Sequence, residues 1–270
     1  MTSRSLSGSR KQFAVVIPAY NRAHTLSRAL KSLLEQTYPG WIAIVVDDGS
    51  TDDTPTLIRE WQHRDERIEY YRFEQNRGVT AANEFGLDLA CEKADWWTRL
   101  GSDDWFEPHK LEFDARALKC NEAVYGPFRH LEDGELNQLD NLPESACRIR
   151  AKLLNELTFA ASWANIAVTT RVLRRIKARY GQFCDPRLLN MEDFIINSRI
   201  CRTTDFVWRG KIDGKFVVDP DCEMDIKDHD ILHDAIWRNS AEGATANFDM
   251  FRSDHAITRL LIIADEYVKS

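Results

Sequence analysis

The sequence has six cysteines (Cys91, Cys120, Cys147, Cys184, Cys201 and Cys222) but no Cys-x-x-Cys pair among them. Scattered spacing of this kind excludes a zinc ribbon and speaks against a disulfide framework. It fits reduced thiols in a cytosolic compartment. No apolar run approaches the roughly 18 residues that a membrane span needs. The longest late run, Leu260-Leu261-Ile262-Ile263-Ala264, is short and flanked by charge. Positive charge is not in excess: 36 Lys and Arg face 43 Asp and Glu, a net charge of −7. That balance argues against broad nucleic-acid binding. No Gly-x-Gly-x-x-Gly follows the first apolar run, which disfavours a dinucleotide-dependent dehydrogenase. Internal repeats and low-complexity tracts are lacking. Residues 1–11 are rich in Ser and Arg, lack an apolar h-region, and read as a disordered tail rather than a signal peptide.

What is present is an alternation of buried strands and helices over 270 residues. Phe13-Ala14-Val15-Val16-Ile17 and Ile42-Ala43-Ile44-Val45-Val46 are continuous β-branched runs, the mark of strands covered on both faces. Between them Leu26, Leu30, Leu33 and Leu34 fall at helical spacing. Thr54-Pro55 reads as an N-cap and first-position proline, opening a helix through Leu57, Ile58 and Trp61. Residues 68–73 form a third strand. A helix follows Asn76-Arg77-Gly78, with Val79, Ala82, Gly86, Leu89 and Ala90 on one face. Trp96-Trp97-Thr98-Arg99-Leu100 is a fourth strand, and Pro108 opens the next helix, through Leu111, Ala115 and Leu118. Ala123-Val124-Tyr125-Gly126 reads as another strand. Strand and helix in alternation with short connections predict a mostly parallel central sheet between helices, a Rossmann-like α/β/α sandwich.

After residue 127 the pattern changes. Residues 129–141 are polar, with Asp133-Gly134 at a hairpin turn. Residues 149–157 read as a helix, 163–168 as a strand and 170–179 as a helix. The charges of that last helix (Arg171, Arg174, Arg175, Lys177, Arg179) read as a solvated face. The expected divisions are a tail over 1–11, one half over 12–127, a second half of the same domain over 128–218, and a C-terminal helical extension over 219–270. That extension ends in a helix over 254–268, expected to pack on the sheet or a second subunit.

Acidic pairs punctuate this frame. Asp103-Asp104 follows the fourth strand on a tight turn, at the sheet edge where open α/β folds bind ligands. Adjacent carboxylates repel unless a cation lies near them. Mg²⁺ and Mn²⁺ favour one or two carboxylates together with phosphate oxygens and water. The bland alternative is a solvated Asp-Asp turn. Glu192-Asp193 opens a later helix, where acids also complement the helix dipole.

Four stretches then occur in order: Val15-Val16-Ile17-Pro18-Ala19-Tyr20-Asn21-Arg22, Val45-Val46-Asp47-Asp48-Gly49-Ser50-Thr51-Asp52, Asn76-Arg77-Gly78 with Asn83, and Gly101-Ser102-Asp103-Asp104. Gly181-x-Phe183 followed by Glu192-Asp193 completes the set. Over about residues 12–205 the chain resembles the family 2 glycosyltransferases, which have the GT-A fold. The resemblance implies a metal-dependent, inverting transfer of a sugar from a nucleoside diphosphate sugar to a hydroxyl. By motif, Tyr20 packs on the base and Asp47 accepts a hydrogen bond from it, which favours a UDP- or dTDP-sugar. Pro18, Ala19, Arg22, Asp48, Asn76, Gly78, Arg99, Ser102 and Asp103 would complete the donor site. Asp104, with Asp103, would hold Mn²⁺ or Mg²⁺, and His229 and His233 are candidates for completing the metal shell. Asp193, with Glu192 beside it, would be the general base.

The sequence departs from the family pattern at two places. Gly101 stands where the pattern often has the first acid of Asp-x-Asp-Asp. Ala82 stands where many members carry an Arg, so Arg77 or Arg99 is expected to take over its grip on the donor. The acceptor expected is a glycan, a lipid-linked sugar, a protein or a small metabolite, with peripheral membrane contact and a homodimer left open. Two other readings compete. One is a non-catalytic sugar-nucleotide-binding protein. The other is a sugar-phosphate nucleotidyltransferase, disfavoured because Pro18-Ala19-Tyr20-Asn21-Arg22 lacks a Gly-rich loop with Arg and Lys.

Overall fold

A computed structural model describes residues 11–126, 128–132, 135–136, 165–184, 192–212, 215–219, 222–224 and 235–238. Its first half runs β1 (Phe13–Ala19), α1 (Leu26–Leu34), β2 (Trp41–Asp47), α2 (Thr54–Arg64), β3 (Ile68–Arg72), α3 (Val79–Lys93), β4 (Trp96–Arg99), β5 (Trp105–Phe106), α4 (Lys110–Ala117) and β6 (Ala123–Tyr125). Then come β7 (Phe128–Glu132), β8 (Glu135–Leu136), β9 (Ile166–Thr169), α5 (Thr170–Tyr180), α6 (Glu192–Thr203) and β10 (Phe206–Trp208). The last described strands are β11 (Gly210–Ile212), β12 (Lys215–Asp219), β13 (Cys222–Met224) and β14 (Ala235–Arg238).

The main sheet has the order β10-β6-β9-β4-β1-β2-β3. β1 pairs in parallel with β2 and β4, β2 with β3, and β6 with β10. β9 alone runs against its neighbours β4 and β6. Two smaller sheets, β11-β12-β13 and β5-β14-β7-β8, complete the described strands. The register Glu132↔Glu135 brackets the expected hairpin position.

The apolar runs explain the layers. Successive side chains of a strand point to opposite faces, so β1 feeds two cores. Ala14 and Val16 join Ala82, Leu87 and Ala90 of α3, Val172 and Ile176 of α5, and Ile196 and Ile200 of α6. Phe13, Val15 and Ile17 join Leu26, Leu30 and Leu33 of α1, Ile58 of α2 and Leu111 of α4. Fully burying a Leu, Ile, Val or Phe side chain contributes on the order of 1.5–3 kcal/mol, so the two cores dominate the cohesion of the sandwich. A Cβ at Gly86 would run into the Val16 side chain, and this close approach of α3 to β1 is what the small-residue face of the helix permits.

Several local expectations shift. α2 begins at Thr54 with Asp53 as its N-cap, because the Thr54 hydroxyl is engaged elsewhere, accepting the Arg22 N–H at 2.8 Å. Pro108 precedes α4 rather than opening it, and its carbonyl accepts the Thr37 N–H at 2.8 Å. The basic face of α5 is solvated as expected, with Arg171, Arg174, Arg175 and Arg179 exposed, and its cations also clamp neighbouring elements. Arg171 and Arg175 both pair with Glu122, Lys177 bridges Glu84 and Asp88, and Arg174 donates to the Cys91 carbonyl. Within 219–270, the described stretches are strands, not helix, and β14 pairs with β5 and β7. Residues 1–10 of the tail expected over 1–11, and the helices expected over 149–157 and 254–268, lie outside the described residues.

Two features tie the halves together. The Gly126 N–H donates to the Asn165 carbonyl at 2.9 Å, and Asn165 Nδ2 donates back to the Gly126 carbonyl. Beneath β4, three charged side chains are fully buried. Asp114 accepts from Lys110 Nζ at 2.7 Å and from Arg209 Nε at 2.5 Å. Lys110 also donates to Thr98 Oγ1 at 2.6 Å, and Thr98 Oγ1 to the Ile166 carbonyl at 2.7 Å. Burial pushes the Lys110 amine down to about 8, against the pull of Asp114.

Candidate functional site

From β1 the chain steps one way to β2 and β3 and the other way to β4. Ligands in open α/β sheets bind outside the carboxyl ends of the strands at such a reversal. An open cleft of about 440 Å³ lies there. β1 and its following loop supply Pro18, Ala19, Tyr20 and Arg22. The end of β2 supplies Asp48, and the entrance of α3 supplies Asn76, Gly78, Val79 and Ala82. Arg99, Gly101, Ser102, Asp103 and Asp104 close the far side. The structure thus gathers every expected donor-site residue except Asp47.

Asp47 is fully buried behind the cleft. Its Oδ1 accepts the Ser50 N–H at 2.8 Å, and its Oδ2 accepts the Tyr70 hydroxyl at 2.8 Å and lies 3.5 Å from Arg72 Nε. Burial and the Asp47 carboxylate push the Tyr70 hydroxyl up to about 12. Asp47 therefore shapes the loop, and the neighbouring Asp48 is the carboxylate at the cleft wall. Asp48 Oδ1 accepts the Arg77 N–H at 2.6 Å and Oδ2 the Gly78 N–H at 2.8 Å. A carboxylate offers about four acceptor positions, so acceptor capacity remains on Asp48.

The loops carrying the motifs are stitched to one another. Asn21 takes a left-handed backbone, φ 53°, which Asn tolerates better than most residues. There its Oδ1 accepts the Thr51 N–H at 2.8 Å, and its own N–H donates to Ser50 Oγ at 2.9 Å. Ala23 N–H reaches Asp52 Oδ2 at 3.2 Å. Gly49, at φ 75°, could not carry a side chain, since a Cβ would meet the Gln75 and Asn76 backbone at 2.7 and 2.8 Å.

The Asp-Asp turn is built around the missing side chain of Gly101. A Cβ there would collide with Asp104 Oδ2, 2.9 Å from its Cγ, and would lie 3.2 Å from Asp103 Oδ1. Both carboxylates therefore converge on one position beside Gly101. Hard oxygen donors brought together in this way fit Mg²⁺ or Mn²⁺. Among the described residues no group of three or more His, Cys, Asp and Glu could hold a metal ion. His229 and His233 lie outside the described residues. Arg28 of α1, which the sequence did not single out, braces the turn. Its Nη2 donates to the Asp103 carbonyl at 2.5 Å, and its guanidinium stacks 4.1 Å over the Trp105 ring.

Of the two arginines expected to replace the one absent at Ala82, Arg99 lines the cleft and Arg77 does not. Arg99 Nε reaches Asn83 Oδ1 at 3.3 Å, while Arg77 stacks 4.7 Å over Phe73. Glu192 and Asp193 sit in the first turn of α6 and do not line the cleft. Glu192 is buried, and its Oε2 has no hydrogen-bond partner among the described residues. Just after α5 the chain is held by Glu84 of α3, whose carboxylate accepts the N–H groups of Phe183 and Cys184 at 2.9 Å. Burial, then the nearby Glu84 and Glu192, push the Cys184 thiol up. Glu84 carried no sequence signal, since its partners lie about a hundred positions away.

No described helix is long and apolar enough to cross a membrane. Comparison with known proteins agrees with the geometry. Residues 14–176 match the family described as Glycosyl transferase family 2. A putative teichuronic acid biosynthesis glycosyltransferase of Bacillus subtilis, TuaG, is 34% identical over 136 residues, covering 49% of this chain and 53% of TuaG. The matches cover only 16% to 53% of the length of the first curated relatives. Among solved structures, S. aureus TarS 1-349 in complex with UDP-GlcNAc superposes with a TM-score of 0.59 at 16% identity, over 85% of this chain and 59% of TarS. A Pyrobaculum calidifontis mannosyltransferase in complex with GDP-Man and Mn²⁺ gives a TM-score of 0.52 at 20% identity, over 74% of this chain and 55% of that one. At such identities the likeness is one of fold, a Rossmann-like GT-A sandwich. With more than half its length matched and the motifs assembled at one sheet edge, the chain belongs to glycosyl transferase family 2.

Proposed function

We propose that this protein transfers a sugar from a nucleoside diphosphate sugar, with UDP- and dTDP-sugars favoured, to a hydroxyl acceptor with inversion at the anomeric carbon. The observation that carries the reading is the convergence of Tyr20, Asp48, Arg99, Asp103 and Asp104 on one cleft at the carboxyl edge of the sheet. Each part suits one piece of such a donor. Tyr20 is 41% exposed at the lip and offers a ring face to a base. Asp48 can accept the imide N–H of uracil or thymine. Arg99 brings a guanidinium to the diphosphate, for which its planar fork is well suited.

Asp103 and Asp104 would hold Mn²⁺ or Mg²⁺, which when bound stabilises the negative charge that builds on the departing diphosphate. The acceptor hydroxyl attacks from the opposite face of the sugar, and Asp193 takes its proton. Glu192 stands beside Asp193 in the first turn of α6. The acceptor is a glycan, a lipid-linked sugar, a protein or a small metabolite, and its choice rests with the second half of the chain.

Calorimetric titration with UDP, dTDP, GDP and CDP, each with and without Mn²⁺, tests the donor site. Metal-dependent binding of UDP or dTDP is expected. Folded protein that binds none of the four would sink the reading in favour of a non-catalytic role. Asp193→Asn should keep nucleotide binding and lose transfer; transfer at the wild-type rate would remove Asp193 as the base.

A further inference from the structure

Arg99 is the last residue of β4, and the face it occupies follows from the period of the strand. Trp96 joins the core shared with α1, and Trp97 the core shared with α3. Alternation then sets Arg99 on the α3 side, with Trp97. There α3 comes close to the sheet, since a Cβ at Gly86 would lie 2.4 Å from Val16 Cγ1. Val16 is the register partner of Arg99 on the neighbouring strand. Asn83 lies one turn before Gly86, on the same face of the helix. A side chain as short as asparagine therefore reaches across, and Asn83 Oδ1 accepts the Arg99 Nε–H at 3.3 Å.

Nothing in the cohesion of α3 calls for asparagine at this position. The side chain is fully buried, and asparagine is among the weaker helix formers. Its buried Nδ2 has no hydrogen-bond partner among the described residues, and an unmet buried donor costs stability. Ala82, Gly86, Leu87 and Ala90, buried on the same helix, are small or apolar. What the amide does hold is Arg99, which lines the donor cleft. A bond to Nε fixes the plane of a guanidinium without using its two Nη groups. Those are a pair that can meet two phosphate oxygens side by side.

We propose that Asn83 is a positioning residue for the donor's diphosphate, holding the Arg99 guanidinium in the orientation that grips the phosphates without touching the ligand itself. The inference rests on the donor reading above and adds to it that recognition of the diphosphate depends on a buried amide. Losing the amide weakens the grip on the diphosphate and leaves the nucleoside end of the cleft, with Tyr20 and Asp48, as it is.

Calorimetry in the presence of Mn²⁺ compares UDP and uridine binding by wild type, Asn83→Leu, Arg99→Met and the double variant. Leucine keeps the shape of asparagine and removes the acceptor. UDP affinity should fall at least about fivefold in Asn83→Leu, a coupling of the size that contacting side chains show. Uridine affinity should be unchanged. In the Arg99→Met background the same substitution should add no further loss, because the amide then has nothing to hold. A residue that serves packing alone would give the same loss in both backgrounds, and that result overturns the proposal. So does a UDP affinity equal to wild type in Asn83→Leu, or a parallel fall in uridine affinity. If Asn83→Leu does not fold, Asn83→Ala, which favours the helix, carries the same four-way comparison. Wild type decides the donor reading by itself. Folded wild type that binds no UDP removes that reading and this role with it. UDP binding that Asn83→Leu leaves untouched removes only the role of Asn83.

Discussion

The Gly78 N–H donates to Asp48 Oδ2 at 2.8 Å, so the carboxylate that closes β2 also holds the entrance of α3. The Arg77 N–H occupies the other oxygen at 2.6 Å. Asp48→Asn leaves one acceptor oxygen for two N–H donors. Its cost should be about 1–3 kcal/mol, the usual penalty for an unsatisfied buried group. Nucleotide affinity should fall with it. Urea unfolding and UDP titration check both, and a variant equal to wild type in both would contradict the dual role.

Gly101→Ala is a small change in composition with a large local effect. The added methyl collides with the Asp104 carboxylate and crowds that of Asp103. Forced repacking of this kind costs typically about 1–3 kcal/mol. The expected outcome is a loss of Mn²⁺-dependent nucleotide binding that exceeds any loss measured without metal. Titration in both conditions decides it.

Arg28 reaches the same turn from α1, through the Asp103 carbonyl and the Trp105 ring. Arg28→Ala removes a charge-assisted hydrogen bond, worth about 1.5–3 kcal/mol, together with the stacking. Metal-dependent UDP affinity is expected to drop roughly tenfold, a factor of 1.4 kcal/mol. Arg28→Lys, which can still cover the ring, should recover part of it. Equal losses in the two variants would show that the stacking contributes nothing.

Lys110 gives a pH signature. Its amine, held at about 8 when folded and near 10.5 when free, binds fewer protons in the native state between those values. Stability rises with pH wherever the unfolded chain binds more protons. Wild type should therefore gain stability relative to Lys110→Met as pH climbs from about 8 to 10.5. Tyr70, held at about 12, pulls the other way above pH 10 in both proteins and cancels in the comparison. Parallel curves of unfolding free energy against pH would refute the buried-amine assignment.

The parallel strands and the order of the motifs were legible because burial on both faces leaves continuous apolar runs, as in Phe13-Ala14-Val15-Val16-Ile17. The choice between Asp47 and Asp48 was not, because both close the same strand. What buries Asp47 is Tyr70 and Arg72 of β3, and their register against β2 is a tertiary fact. Lys110 and Asp114, which drew no notice in the sequence, are both fully buried together with Arg209, which arrives from beyond β10. Nothing in Ile166-Ala167-Val168-Thr169 announces that this strand runs against its neighbours. Arg28 and Glu84 went unnoticed for a similar reason: their partners lie 75 to 100 positions away.

The clasp between Gly126 and Asn165 has a consequence for this edge of the sheet. β6 leaves the sheet and β9 enters it at the edge that bears the donor cleft, and the clasp pins both points together. The chain therefore leaves β6 and re-enters β9 at one spot on that edge. The two strands are thus held at a fixed separation where they meet this edge, whatever the sequence that joins them.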